Sequence, residues 1–81
     1  MACLIHLHYV AMLKDRIGFS QETLTTEAGD LAQLYQELSS RYGLPWPVQS
    51  LRPAINNRIS EWTEKLTDGD HVIFLPPPSG G

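Results

Sequence analysis

The sequence predicts an α+β fold in which one mixed sheet of four to five strands packs on one main helix. Three observations carry that expectation. The opening residues alternate with period two, residues 30–43 carry an apolar stripe at helical spacing, and residues 71–75 form an apolar run that stops at three prolines.

Residues 2–12 place Cys3, Ile5, Leu7, Tyr9 and Ala11 on one face and Leu4, His6, His8, Val10 and Met12 on the other. Period two is a strand signature, so a first strand is expected to run from Ala2 to Met12. Its second face mixes histidines with apolar residues, as a face half covered by its own domain and open to a partner would. Residues 13–18 hold Lys14, Asp15 and Arg16 and end in glycine, which reads as a charged connection or a single helical turn. A second strand is expected over residues 19–26, where Phe19, Leu24 and three threonines supply aromatic and β-branched bias.

Leu31, Leu34, Tyr35, Leu38 and Tyr42 then recur at i, i+3, i+4, i+7 and i+11. Asp30 is placed to cap this helix at its start and Gly43 to stop it, with Pro45 and Pro47 barring continuation. Residues 44–53 read as a proline-rich loop with room for one helical turn. A short strand follows from Pro53, then a tight Asn56-Asn57 turn and a brief return strand from Ile59 to Trp62. Thr67-Asp68-Gly69-Asp70 is a turn by composition. The apolar run from His71 to Leu75 is expected to be a strand buried on both faces.

One solution places the first and last strands side by side and parallel in the middle of the sheet, with the helix supplying the crossover that a parallel pair needs. That is the β-grasp arrangement. The expected organisation is a β-grasp domain over residues 1–75 and an extended tail over residues 76–81.

Eighty-one residues suit a carrier or subunit better than a self-sufficient enzyme, because little chain is left to wall a pocket once a core is built. A net charge of −3 without a Lys/Arg cluster argues against a nucleic-acid partner. The single cysteine, Cys3, excludes an internal disulfide and the usual cysteine zinc sites, and near the start of a strand it reads as a small packed residue. No apolar run reaches membrane-spanning length and no secretory leader is legible, so the expectation is a cytoplasmic protein without a membrane partner. His6, His8 and His71 could meet on one sheet face. Half-exposed strand residues are the simpler reading, and no metal is assigned. Trp46 and Trp62 read as packing aromatics.

The chemistry is expected at the end of the chain, Phe74-Leu75-Pro76-Pro77-Pro78-Ser79-Gly80-Gly81. Proline fixes φ and has no N–H to give a sheet, so Pro76, Pro77 and Pro78 should leave the fold as a polyproline-like arm. Six residues in that conformation reach roughly 18 Å, at about 3.1 Å per residue. Gly80 and Gly81 carry no Cβ, so the terminal carboxylate can enter a channel too narrow for other residues. A stiff stalk with a slim tip can deliver its own end into another protein's active site; a frayed, inert end is the plain alternative.

The run from Leu66 to Gly81 resembles the closing signature of the small, sulfur-carrying subunits of molybdopterin synthase, a ubiquitin-like β-grasp family. Ala54-Ile55-Asn56 resembles that family's central strand, and Tyr9-Val10-Ala11 with residues 13–18 its opening strand and loop. The likeness is weakest over residues 43–52. Pro78 stands where the family more often has valine or another small apolar residue, and Leu75 where an aromatic is common.

The resemblance implies that an adenylyltransferase of the ubiquitin-activating type uses ATP to convert the Gly81 carboxylate into an acyl-adenylate, and that a sulfur donor protein then yields a thiocarboxylate. The large subunit of the synthase would supply the catalytic pocket, in a heterotetramer of two small and two large subunits, with no cofactor held permanently by this chain. By the same likeness Val10, Ile59, Leu75, Pro76 and Pro77 would meet the large subunit, while alternation with Leu75 is expected to turn Phe74 into the core. Neighbouring readings are a sulfur carrier for thiamine thiazole or for tRNA thiolation, a ubiquitin-like modifier joined to lysines, and an interaction domain with an inert tail.

Overall fold

The computed structural model describes residues 2–76. Five strands form one sheet. They are β1 (Cys3–His8), β2 (Gln21–Thr26), β3 (Arg52–Ile55), β4 (Arg58–Ile59) and β5 (His71–Leu75), in the spatial order β2-β1-β5-β3-β4. Helix α1 (Ala11–Ile17) joins β1 to β2, helix α2 (Leu31–Tyr42) follows β2, and a single 3₁₀ turn spans Val48–Ser50. β1 and β5 are parallel neighbours in the middle, pairing His6 with His71, Leu7 with Val72 and His8 with Ile73. The other pairings are antiparallel. The β-grasp arrangement is therefore present, with a second helix that the sequence reading reduced to one turn.

That helix shortens the first strand. Tyr9, 1% exposed, is the last residue to follow the buried alternation of Ile5 and Leu7. The chain then turns at Val10 and Ala11, whose φ is 52°, and the N–H groups of Leu13 and Lys14 donate to the Val10 carbonyl at 3.1 and 3.4 Å. Burying Leu13 completely against the core outweighs continued pairing of Val10 and Met12. Gly18 closes the helix in the left-handed region at φ 101°, which a β-carbon would disfavour. β2 begins two residues later than expected, leaving Phe19 41% exposed at its entrance.

Asp30 caps α2 by accepting from the Gln33 N–H at 2.9 Å, and Gln33 Oε1 accepts from the Gly29 N–H at 2.8 Å. This reciprocal pair satisfies two donors at the helix entrance. Gly43, at φ 65°, ends the helix by donating to the Ser39 carbonyl at 2.8 Å. The face between carries Leu31, Leu34, Tyr35 and Leu38, which join Ile5, Leu7, Leu24, Ile55, Val72, Phe74 and Leu13 in one core cluster. Both helices thus cover the same side of the sheet.

Among the described residues no element covers the other side, and this corrects the reading of β5. Val72 and Phe74 are fully buried, but Ile73 and Leu75 are half-buried and His71 is exposed. The run looked uniformly apolar because its second face is apolar without being enclosed. The return strand is also shorter than expected and begins one residue earlier, spanning Arg58 and Ile59, since Asn56 and Asn57, at φ 52° and 70°, bring the chain back within two residues. Among the described residues no helix is long and apolar enough to cross a membrane.

Candidate functional site

The uncovered side of the sheet is the candidate site, and strand register sets its composition. Directly opposed residues point to the same side, so Gln21, His8, Ile73, Ala54 and Ile59 form one row across all five strands. A second row runs through Thr23, His6 and His71. Leu75 lies two residues beyond Ile73 on the same side and opposite Arg52. The apolar part is therefore Ile73, Ile59 and Leu75, with Ala54 buried between them, next to the point where β5 ends and Pro76 begins.

Of the residues expected to meet a partner, Ile59 stands out at 55% exposure on a two-residue edge strand. Leu75 and Pro76 are half-buried at the end of β5. Val10 is half-buried in extended backbone at the entrance to α1, and with His8, Asn56, Asn57, His71 and Ile73 it lines a shallow concavity of about 660 Å³. Pro77, Gly80 and Gly81 lie outside the described residues. Sequence reasoning missed Ile73, although alternation with the buried Val72 and Phe74 would have placed it beside Leu75. Ala54 was missed because only register puts it in the row.

The three histidines do come together. The rings of His6 and His71 stack with centroids 4.5 Å apart, and those of His8 and His71 at 5.6 Å. His8 Nε2 lies 3.3 Å from His71 Nδ1, and His6 Nδ1 lies 3.1 Å from Thr23 Oγ1. Among the described residues no group of three or more His, Cys, Asp or Glu side chains is arranged to hold a metal ion. Asn56 fastens the edge of this cluster. Its Oδ1 accepts from the His71 N–H at 2.9 Å and its Nδ2 donates to Asp70 Oδ1 at 3.0 Å.

On the covered side, polar contacts hold β1 and β2 rigid under the site. Tyr9 and Tyr42 both donate to Glu22 Oε2, Tyr42 at 2.7 Å. Burial, followed by the adjacent Glu22 carboxylate, pushes the Tyr9 hydroxyl far above the ordinary tyrosine pKa. Cys3 is half-buried against the core. Trp62 lies flat on Phe74 at 5.6 Å, as a packing residue does, and Tyr35 donates to the Trp46 carbonyl at 2.6 Å.

Among the described residues the open face holds no enclosed pocket with converging acid, base or nucleophile. It is suited to present a flat, part-apolar face beside the start of the C-terminal segment.

Comparison with known proteins agrees with the fold. The molybdopterin synthase sulfur carrier subunit of Escherichia coli (strain K12) is 27% identical over 81 residues, covering 96% of this chain and 100% of that protein. Small archaeal modifier protein 1 from Methanosarcina acetivorans superposes with a TM-score of 0.77 at 21% identity, over 100% of this chain and 99% of that one. A chain from the complex of subunits 1 and 2 of the molybdopterin-converting factor of Helicobacter pylori 26695 superposes with a TM-score of 0.63 at 25% identity, over 96% and 99% of the two chains. The ThiS family matches residues 7–81, and the chain belongs to that family.

Proposed function

We propose that this chain is the sulfur carrier of a molybdopterin synthase, with residues 1–75 as the docking domain and residues 76–81 as the delivering arm. The observation that carries the reading is full-length correspondence to a sulfur carrier subunit, within a family match that runs through Gly80 and Gly81.

A carboxylate is a poor electrophile until one of its oxygens becomes part of a good leaving group. The Gly81 carboxylate attacks the α-phosphate of ATP on an adenylyltransferase, and pyrophosphate leaves. Sulfur that a donor protein delivers at the oxidation level of sulfide then attacks the acyl carbon and displaces AMP, leaving a thiocarboxylate. That sulfur is nucleophilic and attacks an electrophilic carbon of a pterin precursor in the large subunit's pocket, and hydrolysis returns the carboxylate. One dithiolene consumes two loaded chains.

Val10, Ile59, Leu75, Pro76 and Pro77 dock the large subunit, with Ile73 completing the apolar row. A smooth patch beside the arm fixes the direction in which Gly80 and Gly81 enter the partner, so the enzyme's acid and base groups belong to the large subunit. The related complex of subunits 1 and 2 from Helicobacter pylori supports a two-subunit assembly.

The test is intact mass spectrometry after incubation with an activating enzyme, ATP and a sulfur source. One oxygen exchanged for one sulfur, confined to the C-terminal peptide, supports the carrier, and product formed with the large subunit identifies the pterin as recipient. Covalent ladders on a denaturing gel, with no sulfur gained, would instead mark a protein modifier.

A further inference from the structure

The two edges of the sheet are finished differently. β4 closes one edge with two residues and an exposed charge at Arg58, and shortness and charge both discourage another strand from adding on. β2 closes the other with six residues that hold unbroken register with β1 and include no proline, lysine or bulge. We propose that the β2 edge is a self-association surface: two copies of this chain pair antiparallel through β2 about a two-fold axis at Thr23, joining their sheets into one. This edge is distinct from the docking face, and the pairing does not rest on the carrier reading.

Hydrogen bonds within the sheet show which groups β2 leaves free. The Tyr9 N–H donates to the Ser20 carbonyl at 2.8 Å, whereas the N–H groups of Leu4 and His6 turn the other way, to Asp68 Oδ1 at 2.6 Å and the Asp70 carbonyl at 2.9 Å. Cys3, Ile5 and Leu7 therefore bond to β2, where register sets them opposite Thr26, Leu24 and Glu22. The main-chain N–H and C=O groups of Gln21, Thr23 and Thr25 point outward, and among the described residues nothing bonds to them. Such a row of donors and acceptors is what an added strand pairs with.

A second β2 fits this row. Opposed residues of a continuous sheet point to the same side, and Gln21, Thr23 and Thr25 share the open side. A two-fold axis at Thr23 sets Thr23 against Thr23 of the partner copy and Gln21 against Thr25 of the partner copy. Every outward residue then falls in a pair that exchanges both of its main-chain bonds. These opposed side chains are neutral, and the threonines are β-branched, which suits cross-strand packing. On the covered side Glu22 lies opposite Leu24 of the partner copy. The two Glu22 carboxylates become diagonal neighbours, each drawn toward its own Tyr9 and Tyr42, and salt screens the repulsion between them. The open faces continue each other, and β5, where the C-terminal segment begins, is separated from the seam by β1 and β2 of its own sheet.

One strand pair buries less surface than a standard stable interface, so the dimer is weak and forms at high concentration. The test is sedimentation equilibrium of the full chain from about 10 μM to about 1 mM, in about 0.5 M salt and with reductant so that Cys3 forms no cross-link. Amide hydrogen exchange is read at both ends of that range. The expected result is an average mass that rises from one chain toward two, with exchange slowed at high concentration for Gln21, Thr23 and Thr25, while Glu22, Leu24 and Thr26 exchange slowly throughout. Thr23→Pro removes an outward N–H without touching the ladder to β1 and should weaken association by about tenfold or more. Thr23→Val keeps the backbone row and should stay within about twofold of the parent, circular dichroism confirming the fold of both.

A chain that stays monomeric to about 1 mM overturns the pairing. So does a dimer that Thr23→Pro leaves intact, or one whose Gln21, Thr23 and Thr25 amides exchange as fast as in the monomer. Sulfur loading is read separately, by mass, on the C-terminal peptide, so none of these outcomes touches the carrier reading.

Discussion

The hydroxyl of Tyr9, a residue 1% exposed, donates to the Glu22 carboxylate one strand away. Tyr42 donates to the same oxygen from α2, so this carboxylate ties β1, β2 and the helix together beneath the open face. Burial holds the hydroxyls of Tyr9, Tyr35 and Tyr42 above the ordinary tyrosine range, with Glu22 adding to the effect at Tyr9 and Tyr42. The unfolded chain loses tyrosine protons near pH 10 and the folded chain keeps them, so the stabilisation is complete below about pH 10 and is lost as pH rises above it. Denaturant midpoints measured from neutral to strongly alkaline pH should fall above that point, and Tyr9→Phe should make the fall shallower. At neutral pH Glu22→Ala removes the shared acceptor and should cost about 1–3 kcal/mol.

Ile59 tests the docking surface without disturbing the core. It is 55% exposed on an edge strand, so Ile59→Asp should leave thermal unfolding within a few degrees of the parent. In the proposed complex the new carboxylate would be buried without a partner, and affinity for the large subunit should drop by about a hundredfold or more, about 3 kcal/mol. Leu75→Asp should do the same. Binding within about twofold of the parent for both would remove this face from the interface.

The sequence showed the covered side of the sheet more clearly than the open one. Leu31, Leu34, Tyr35 and Leu38 announced α2 by spacing, and Asp30 and Gly43 marked its ends, because capping is local chemistry that single residues reveal. Helix α1 was obscured because Ala11 and Met12 continue the alternation of β1 while the burial of Leu13 overrides it, and only tertiary packing decides between the two. The row from Gln21 to Ile59 was hidden for a related reason. Facing partners are a property of register, and register depends on all five strands closing together. The histidines were visible as a set, whereas their stacking needed coordinates.

The ends of α2 offer a test of that local chemistry. Asp30→Ala leaves the Gln33 N–H without its acceptor and should cost about 1 kcal/mol, read as a lower denaturant midpoint with an unchanged slope. Gly43→Ala forces a β-carbon into the left-handed region at φ 65° and brings it to 3.4 Å from Arg16 Nη2, which donates to the Gly43 carbonyl at 2.9 Å. That substitution should cost about 1–2 kcal/mol, the backbone term being joined by loss of the contact between α1 and α2. Asn57→Gly, at φ 70° in the two-residue turn, should be neutral or mildly stabilising, since glycine meets that conformation without a β-carbon.

Adding one residue after Gly81 separates carrying from docking. The proposed chemistry takes place at a carboxylate that must pass through a channel shaped for residues without a β-carbon, whereas the proposed docking uses residues of the sheet face. An appended alanine should therefore leave the circular dichroism spectrum and the affinity for the large subunit near the parent's, and abolish both sulfur loading by mass spectrometry and product formation. Removal of Gly80 and Gly81 should have the same pair of effects. If either variant still supports product formation at the parent's rate, the terminal glycines are not the sulfur-bearing group, and the chain's part in the complex reduces to binding.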